Sequence, residues 1–283
     1  MSEDRAPTVL QRRLGVELRK LRERAGLSVH DAARPHGWSG SKISRIETCR
    51  TLPTPKDVAK LCAFYKADKE TTEFLIRLAR NSGDDGWWDH YGITGEYASY
   101  IAMESAASEI ETYSQVLIPG LLQTKQYADT VLRARLEDQV PEDEIARQVA
   151  IRMRRQEVLY REHPVQLRVI LEEYAVRHMV GGPDVMGEQL EYLIQLNRLP
   201  NVSIQLLPSD VGAHPAMNGP FTVMRFPEHP TLAAAAVELV GCTIWIEESV
   251  HVHRLGKIFR YLGGRARDPQ TTTKMLRTIV QNM

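Results

Sequence analysis

Between Gly26 and Pro55 the chain is interrupted so often that only short helices fit, and this limits the possible folds more than any other feature. Upstream, Val9, Leu10, Leu14, Leu18 and Leu21 put one apolar face on a helix that runs to Ala25. Arg12, Arg13, Arg19, Lys20, Arg22 and Arg24 decorate the rest of it. Gly26 ends this helix at a left-handed cap. Ser28 starts a second helix, with Asp31 three residues on as its capping-box partner and Ala32 and Ala33 small enough for close packing. Pro35 and Gly37 close it. Ser39 then caps a third helix, in which Ile43 and Ile46 point inward at a spacing of three while Ser41, Lys42, Ser44 and Arg45 face out. A fourth starts at Thr54, with Pro55 in its first position, Asp57 in its third, and Val58, Leu61, Cys62 and Tyr65 on its buried side. A fifth is expected over 68–80 on Phe74, Leu75 and Leu78.

The gap between the second and third helices is a few residues containing Gly37, which suits two helices crossing steeply. In that geometry the third helix offers its N-terminal polar residues to a DNA major groove. The run Leu21-Arg22-x-x-Ala25-Gly26-Leu27-Ser28, then Trp38-Ser39-x-Ser41-Lys42-Ile43-Ser44-Arg45-Ile46-Glu47, then Thr54-Pro55, resembles the helix-turn-helix of the phage-repressor or xenobiotic-response-element class. The resemblance implies that Gly40, Ser41 and Arg45 face base edges, with Ser39 and Ser44 in the same DNA-facing set. It also implies that Lys42 and Arg50 touch phosphates of double-stranded DNA, and that Arg22 and Glu47 form an internal ion pair. Arg45 is the first candidate for base readout, because arginine reads guanine O6 and N7 with two hydrogen bonds. Two positions depart from the pattern: Gly40 stands where a base-reading Gln is frequent, and Cys49 where a helix-ending Gly is usual, so the turn leading to Arg50 is expected to differ. The competing reading is a small helical bundle whose basic residues only solvate it.

Charge is divided along the chain. Through Arg80 there are 17 Lys and Arg against 10 Asp and Glu; beyond it, 19 against 26. A basic head on an acidic body lets a protein of zero net charge bind a polyanion, since counterion release depends on the local patch. The three cysteines, Cys49, Cys62 and Cys242, are scattered and suggest neither a disulfide framework nor a zinc site. The apolar stretches are too short to cross a bilayer and the first residues lack the apolar core of a signal peptide, so the expected location is cytoplasmic, without membrane contact. A homodimer is expected, because one short recognition helix reads too few base pairs to find a single genomic site.

The expected fold is α+β overall. An all-α helix-turn-helix domain covers 1–80, a linker 81–86, and a mixed α/β domain with a small, mostly antiparallel sheet covers 87–283. In the latter, helical periodicity dominates 97–113, 124–136 and 141–162, then Val165, Leu167, Val169 and Leu171 alternate as a half-buried strand does. A helix over 184–198 follows, then strands over 202–207, 221–226, 232–239 and 242–246, with Gly241 turning the last two into a hairpin. Helices over 248–261 and 268–281 complete the chain.

This region resembles the effector-like domain of WhiJ-type actinobacterial regulators. The likeness is carried by Trp87-Trp88-Asp89, Glu111-x-Tyr113, Val116-x-Ile118-Pro119-Gly120-Leu121-Leu122-Gln123-Thr124-x-x-Tyr127-Ala128, Arg155-Gln156, Gly181-Gly182-Pro183, Gln189-Leu190, Gly212-x-His214 and Gly219-Pro220-Phe221. It implies a kinship with antitoxins of toxin–antitoxin pairs and a small partner protein encoded nearby.

Candidates for a small-molecule effector or partner site are His214, in a loop between strands, Glu172 with Glu173 at a strand end, and the Trp87 and Trp88 pair. Each has a plainer reading: a loop histidine bonding local backbone, solvated acids, and tryptophans that dock one domain on another. His251 and His253 point to different faces of a helix and make a poor metal pair. Arg152, Arg154 and Arg155 form a basic run suited to assisting DNA binding, with helix-surface residues facing water as the plainer reading. The motifs of serine hydrolases, phosphate-binding loops, dinucleotide folds and zinc peptidases are missing, so neither catalysis, a cofactor nor a metal is expected.

Overall fold

The computed structural model describes residues 9–82, 87–93, 95–135, 140–226, 233–239 and 242–283. Its contacts divide the chain into two compact units, residues 1–106 with 226–231, and residues 107–225 with 232–283. The linker expected at 81–86 lies mostly outside the described residues, and its first two positions, 81 and 82, belong to a helix. The helical unit continues past it to Ala106 because one more helix packs back onto it.

The first unit is all-α: α1 (Val9–Arg24), α2 (Val29–Ala33), α3 (Gly40–Glu47), α4 (Pro55–Phe64), α5 (Lys69–Ser82) and α6 (Gly95–Ala106). The caps read from sequence form as hydrogen bonds. Asp31 N–H donates to Ser28 Oγ at 3.2 Å while Ser28 N–H donates to Asp31 Oδ2 at 3.1 Å, and Lys42 N–H and Asp57 N–H donate to Ser39 Oγ and Thr54 Oγ1. Each such cap holds about 1 kcal/mol. Leu14 and Leu18 of α1, Ala32 and Ala33 of α2, Ile43 and Ile46 of α3, and Val58 and Leu61 of α4 are buried together in the core of the unit. The 3.6-residue period thus places one apolar stripe of each helix inward.

Unit two holds β1 (Glu109–Ser114), α7 (Lys125–Arg135), α8 (Glu142–Arg155), β2 (Gln166–Glu172), α9 (Glu173–Arg177), α10 (Gly182–Leu196), β3 (Val202–Leu207), β4 (Phe221–Arg225), β5 (Ala233–Leu239), β6 (Cys242–Ile246), α11 (Ser249–Gly263) and α12 (Pro269–Gln281). The sheet order is β3-β2-β1-β4-β5-β6. β1 pairs with β2 and β2 with β3 in parallel; the other three pairs are antiparallel. The two parallel pairs need long crossovers, and α7 with α8, then α9 with α10, supply them. The hairpin turn expected at Gly241 falls outside the described residues.

β1 corrects the sequence reading. The helical period over 97–113 ends at Ala106, and the last residues form the strand that joins the parallel and antiparallel halves of the sheet. Its alternation is disguised because Glu109 and Glu111 share a face with Tyr113. Glu111, 1% exposed in its side chain, is satisfied by Arg225 at 2.5 Å and Arg168 at 2.9 Å, and Arg168 also pairs with Glu109. Toward its carboxyl end this face becomes apolar: Tyr113, Ile170, Phe221, Val223 and Ala235 pack with Val252, Phe259 and Leu262 of α11.

Candidate nucleic-acid interface

The α2–α3 turn is built from two local devices. Gly37, at φ 66°, takes the left-handed conformation, with Trp38 N–H donating to Ala33 O and Gly37 N–H to Arg34 O. The same paired bonds that close a helix here re-aim the chain into α3. Gly40 then lets α3 approach α2, since a Cβ there would stand 2.8 Å from His30 Nδ1. Gly40, expected at a base edge, is buried, and the exposed His30 ring covers it. The sequence reading missed His30 at this surface, because its placement over Gly40 depends on the helix crossing.

Ser39, Ser41, Ser44 and Arg45 are exposed along α3, and Arg50 is exposed just beyond it. Neither Arg45 nor Arg50 makes an ion pair among the described residues, so both guanidinium groups are available. Lys42 differs. Its Nζ lies 3.6 Å from the centre of the Trp38 ring and 3.5 Å from Asp57 Oδ2, so it ties α3 to α4 instead of reaching outward. His36 completes the cluster, 5.0 Å from Trp38 and 5.7 Å from Phe64 between ring centres. Burial, then the nearby Lys60, hold its pKa below the ordinary histidine value.

Behind this surface Arg22 donates from Nε to Glu47 Oε1 at 2.6 Å, from Nη2 to Glu47 Oε2 at 2.9 Å, and from Nη1 to Leu27 O at 2.7 Å. The pair clamps α1 to the end of α3, and the hydrogen bond to Glu47 raises the guanidinium pKa against the opposing effect of burial. The turn leading to Arg50 is not the altered one expected from Cys49. Cys49 itself adopts φ 59°, Arg50 N–H donates to Arg45 O at 2.8 Å, and Cys49 N–H donates to Ile46 O at 3.1 Å. Its Sγ donates to Gln11 O at 3.0 Å, so a side chain that a glycine lacks also ties the turn to α1.

In the second unit the structure brings His214 and Glu172 together. Ala216 N–H donates to His214 Nδ1 at 3.3 Å, so Nε2 carries the proton facing Glu172 Oε1 at 3.1 Å; Tyr113 OH donates to that oxygen at 2.6 Å. Burial, then this carboxylate, push the Tyr113 phenol above its ordinary pKa. Glu173 accepts from Ser209 N–H at 3.2 Å, and Gln115 donates to Ala216 O. These bonds fasten the loop of residues 208–220 to the carboxyl ends of β1 and β2. His214 thus uses both ring nitrogens within the loop and its anchor. Trp87 and Trp88 lie in the first unit, edge to face at 5.9 Å, with Trp88 buried and Trp87 also against Tyr91. The arginine run is not a solvated surface: Arg155 is buried, and Arg152 donates to the buried Gln123, leaving Arg154 exposed. No group of three or more metal-ligating side chains occurs among the described residues, nor any helix long and apolar enough to cross a membrane.

A compact helical unit with an exposed, serine- and arginine-bearing third helix defines a helix-turn-helix protein. Residues 13–75 match the family described as a helix-turn-helix domain, which makes the chain a DNA-binding regulator in type. Residues 97–278 match the family described as a domain of unknown function (DUF5753), and the chain belongs to that family. No curated protein and no solved structure matches it.

Proposed function

We propose that the protein is a sequence-specific transcriptional regulator that binds its operator as a dimer and is modulated, through its second unit, by a small effector or a small partner protein. The observation that carries this reading is the exposed row Ser41, Ser44 and Arg45 on a short helix braced from behind by the Arg22–Glu47 clamp. Such a brace fixes the helix orientation before DNA arrives, and preorganisation lowers the cost of binding. Arg45 reads a guanine, Ser39, Ser41 and Ser44 contact neighbouring groups, and Arg50 neutralises a phosphate. Lys42 serves as a positioning residue, because its ammonium is engaged with Trp38 and Asp57.

The test starts from operator sequences selected out of a random duplex pool by the full chain. Arg45→Ala is expected to relax preference at one base pair of each half-site by about 1–3 kcal/mol while other positions keep theirs. An unchanged preference at every position removes Arg45 from the readout and with it the reading of α3.

A further inference from the structure

A cavity of about 400 Å³ opens in the second unit between α12 and the end of α9 with the residues just beyond it, Arg177 and Met179. On α12 the residues Thr271, Lys274, Met275 and Thr278 recur at three- and four-residue intervals and so share one helix face. The adjoining stripe of α12 is buried through Thr272, Leu276 and Ile279, and Ile279 also reaches the cavity wall. Two thioethers of the cavity wall are exposed: Met179 at 47% and Met283 at 41%. Methionine is unbranched and polarisable, which lets such a wall adapt to an apolar guest.

Two cations stand at this wall. Lys274 is exposed and makes no ion pair among the described residues. Arg177 uses Nε on Glu173 Oε1 at 2.7 Å, which leaves its Nη donors for another acceptor. Among the described residues, no acidic side chain lines the cavity. The volume falls within the range of small-molecule sites, which runs from about 300 to 1,000 Å³.

We propose that this cavity binds a small amphiphile with an anionic head, its chain against Met179, Met275 and Met283 and its carboxylate-type group held by Lys274 and Arg177. The proposal deepens the reading of the second unit as the receiving part and rests on that reading for its regulatory meaning. Arg177 also links the cavity to the rest of the unit. Its partner Glu173 accepts from Ser209 through the other carboxylate oxygen, at the start of the loop that carries His214.

Calorimetric titration of the full chain with decanoate, decanol and decyltrimethylammonium separates charge from chain. Decanoate is expected to bind one to one, about tenfold or more tighter than either other probe, as a hydrogen bond to a charged group allows. K274E is expected to weaken decanoate by about tenfold or more, and Lys274→Met to weaken decanoate while leaving decanol unchanged. Both substitutions are at an exposed position, and unchanged circular dichroism and unliganded operator affinity verify the fold. Equal affinity for the three probes, or decanoate binding indifferent to Lys274, overturns the proposal. So does a lack of binding, including the case in which a second copy or a partner protein shields Lys274 from amine labelling. Loss of operator binding in the unsubstituted chain would instead overturn the regulator reading and leave the titration result standing.

Discussion

Arg50 and the three cysteines show how one side chain's surroundings determine what it does. Arg50 is exposed and carries no ion pair among the described residues, as a phosphate contact requires. Arg50→Ala is expected to weaken all duplex sequences alike and to reduce the slope of log affinity against log salt by about 0.9 for each half-site, or about 1.8 for a dimer on its full operator. A loss confined to one sequence, seen in salt-dependent anisotropy titrations, would assign Arg50 to base readout instead. The thiols form an accessibility series. Cys62 is fully buried and burial pushes its thiol up to about 11, Cys49 is partly buried with Sγ on Gln11 O, and Cys242 is exposed. Because the thiolate is the nucleophile, maleimide at pH 8 is expected to label Cys242 first and Cys62 last by peptide mass spectrometry; early labelling of Cys62 would mean that the core around it opens readily. At this scale the sequence was legible where a residue acts locally, as with the Ser28, Ser39 and Thr54 caps. It was not where a neighbour distant in the chain decides, as with Gly40 under His30 or Lys42 on Trp38.

Four helices of the first unit end in one device. At Gly26, Gly37, Cys49 and Lys66 the chain turns left-handed, and the next residue's N–H bonds back to a carbonyl five residues earlier. Glycine marks the first two in the sequence; the others are concealed because Cys and Lys occupy a conformation that costs an L-residue about 1–2 kcal/mol. Lys66 is exposed, so Lys66→Gly is expected to stabilise the protein by about 0.5 kcal/mol once the greater unfolded-state freedom of glycine is subtracted. Cys49→Gly relieves the same strain but removes the Sγ bond to Gln11, and is expected to gain less. Denaturant midpoints of the two variants test this, and a larger gain for Cys49→Gly would mean the Sγ contact contributes nothing. β1 escaped sequence reading for a related reason: charged residues stand where apolar alternation would mark a strand, and Arg168 and Arg225 that neutralise them come from other strands.

For the whole molecule, the proposed dimer carries its own expectation. Two copies bound to one operator protect half-sites whose centres lie about 34 Å, one helical turn, or a multiple of it apart. Hydroxyl-radical footprinting checks the spacing; a single protected half-site with full affinity would mean that the protein acts as a monomer. The basic head and acidic body, the cap signals, the helical head and most boundaries of the mixed unit were set by the sequence alone, since each depends on composition or on residues within one turn of each other. Tertiary structure decided where the compact units divide, because α6 joins the helical unit by packing on α1 and α5. It also decided the strand order, with β1 between a parallel and an antiparallel neighbour, and the meeting of Tyr113, Glu172 and His214. Those features arise from contacts between residues dozens of positions apart, which no local period or spacing encodes.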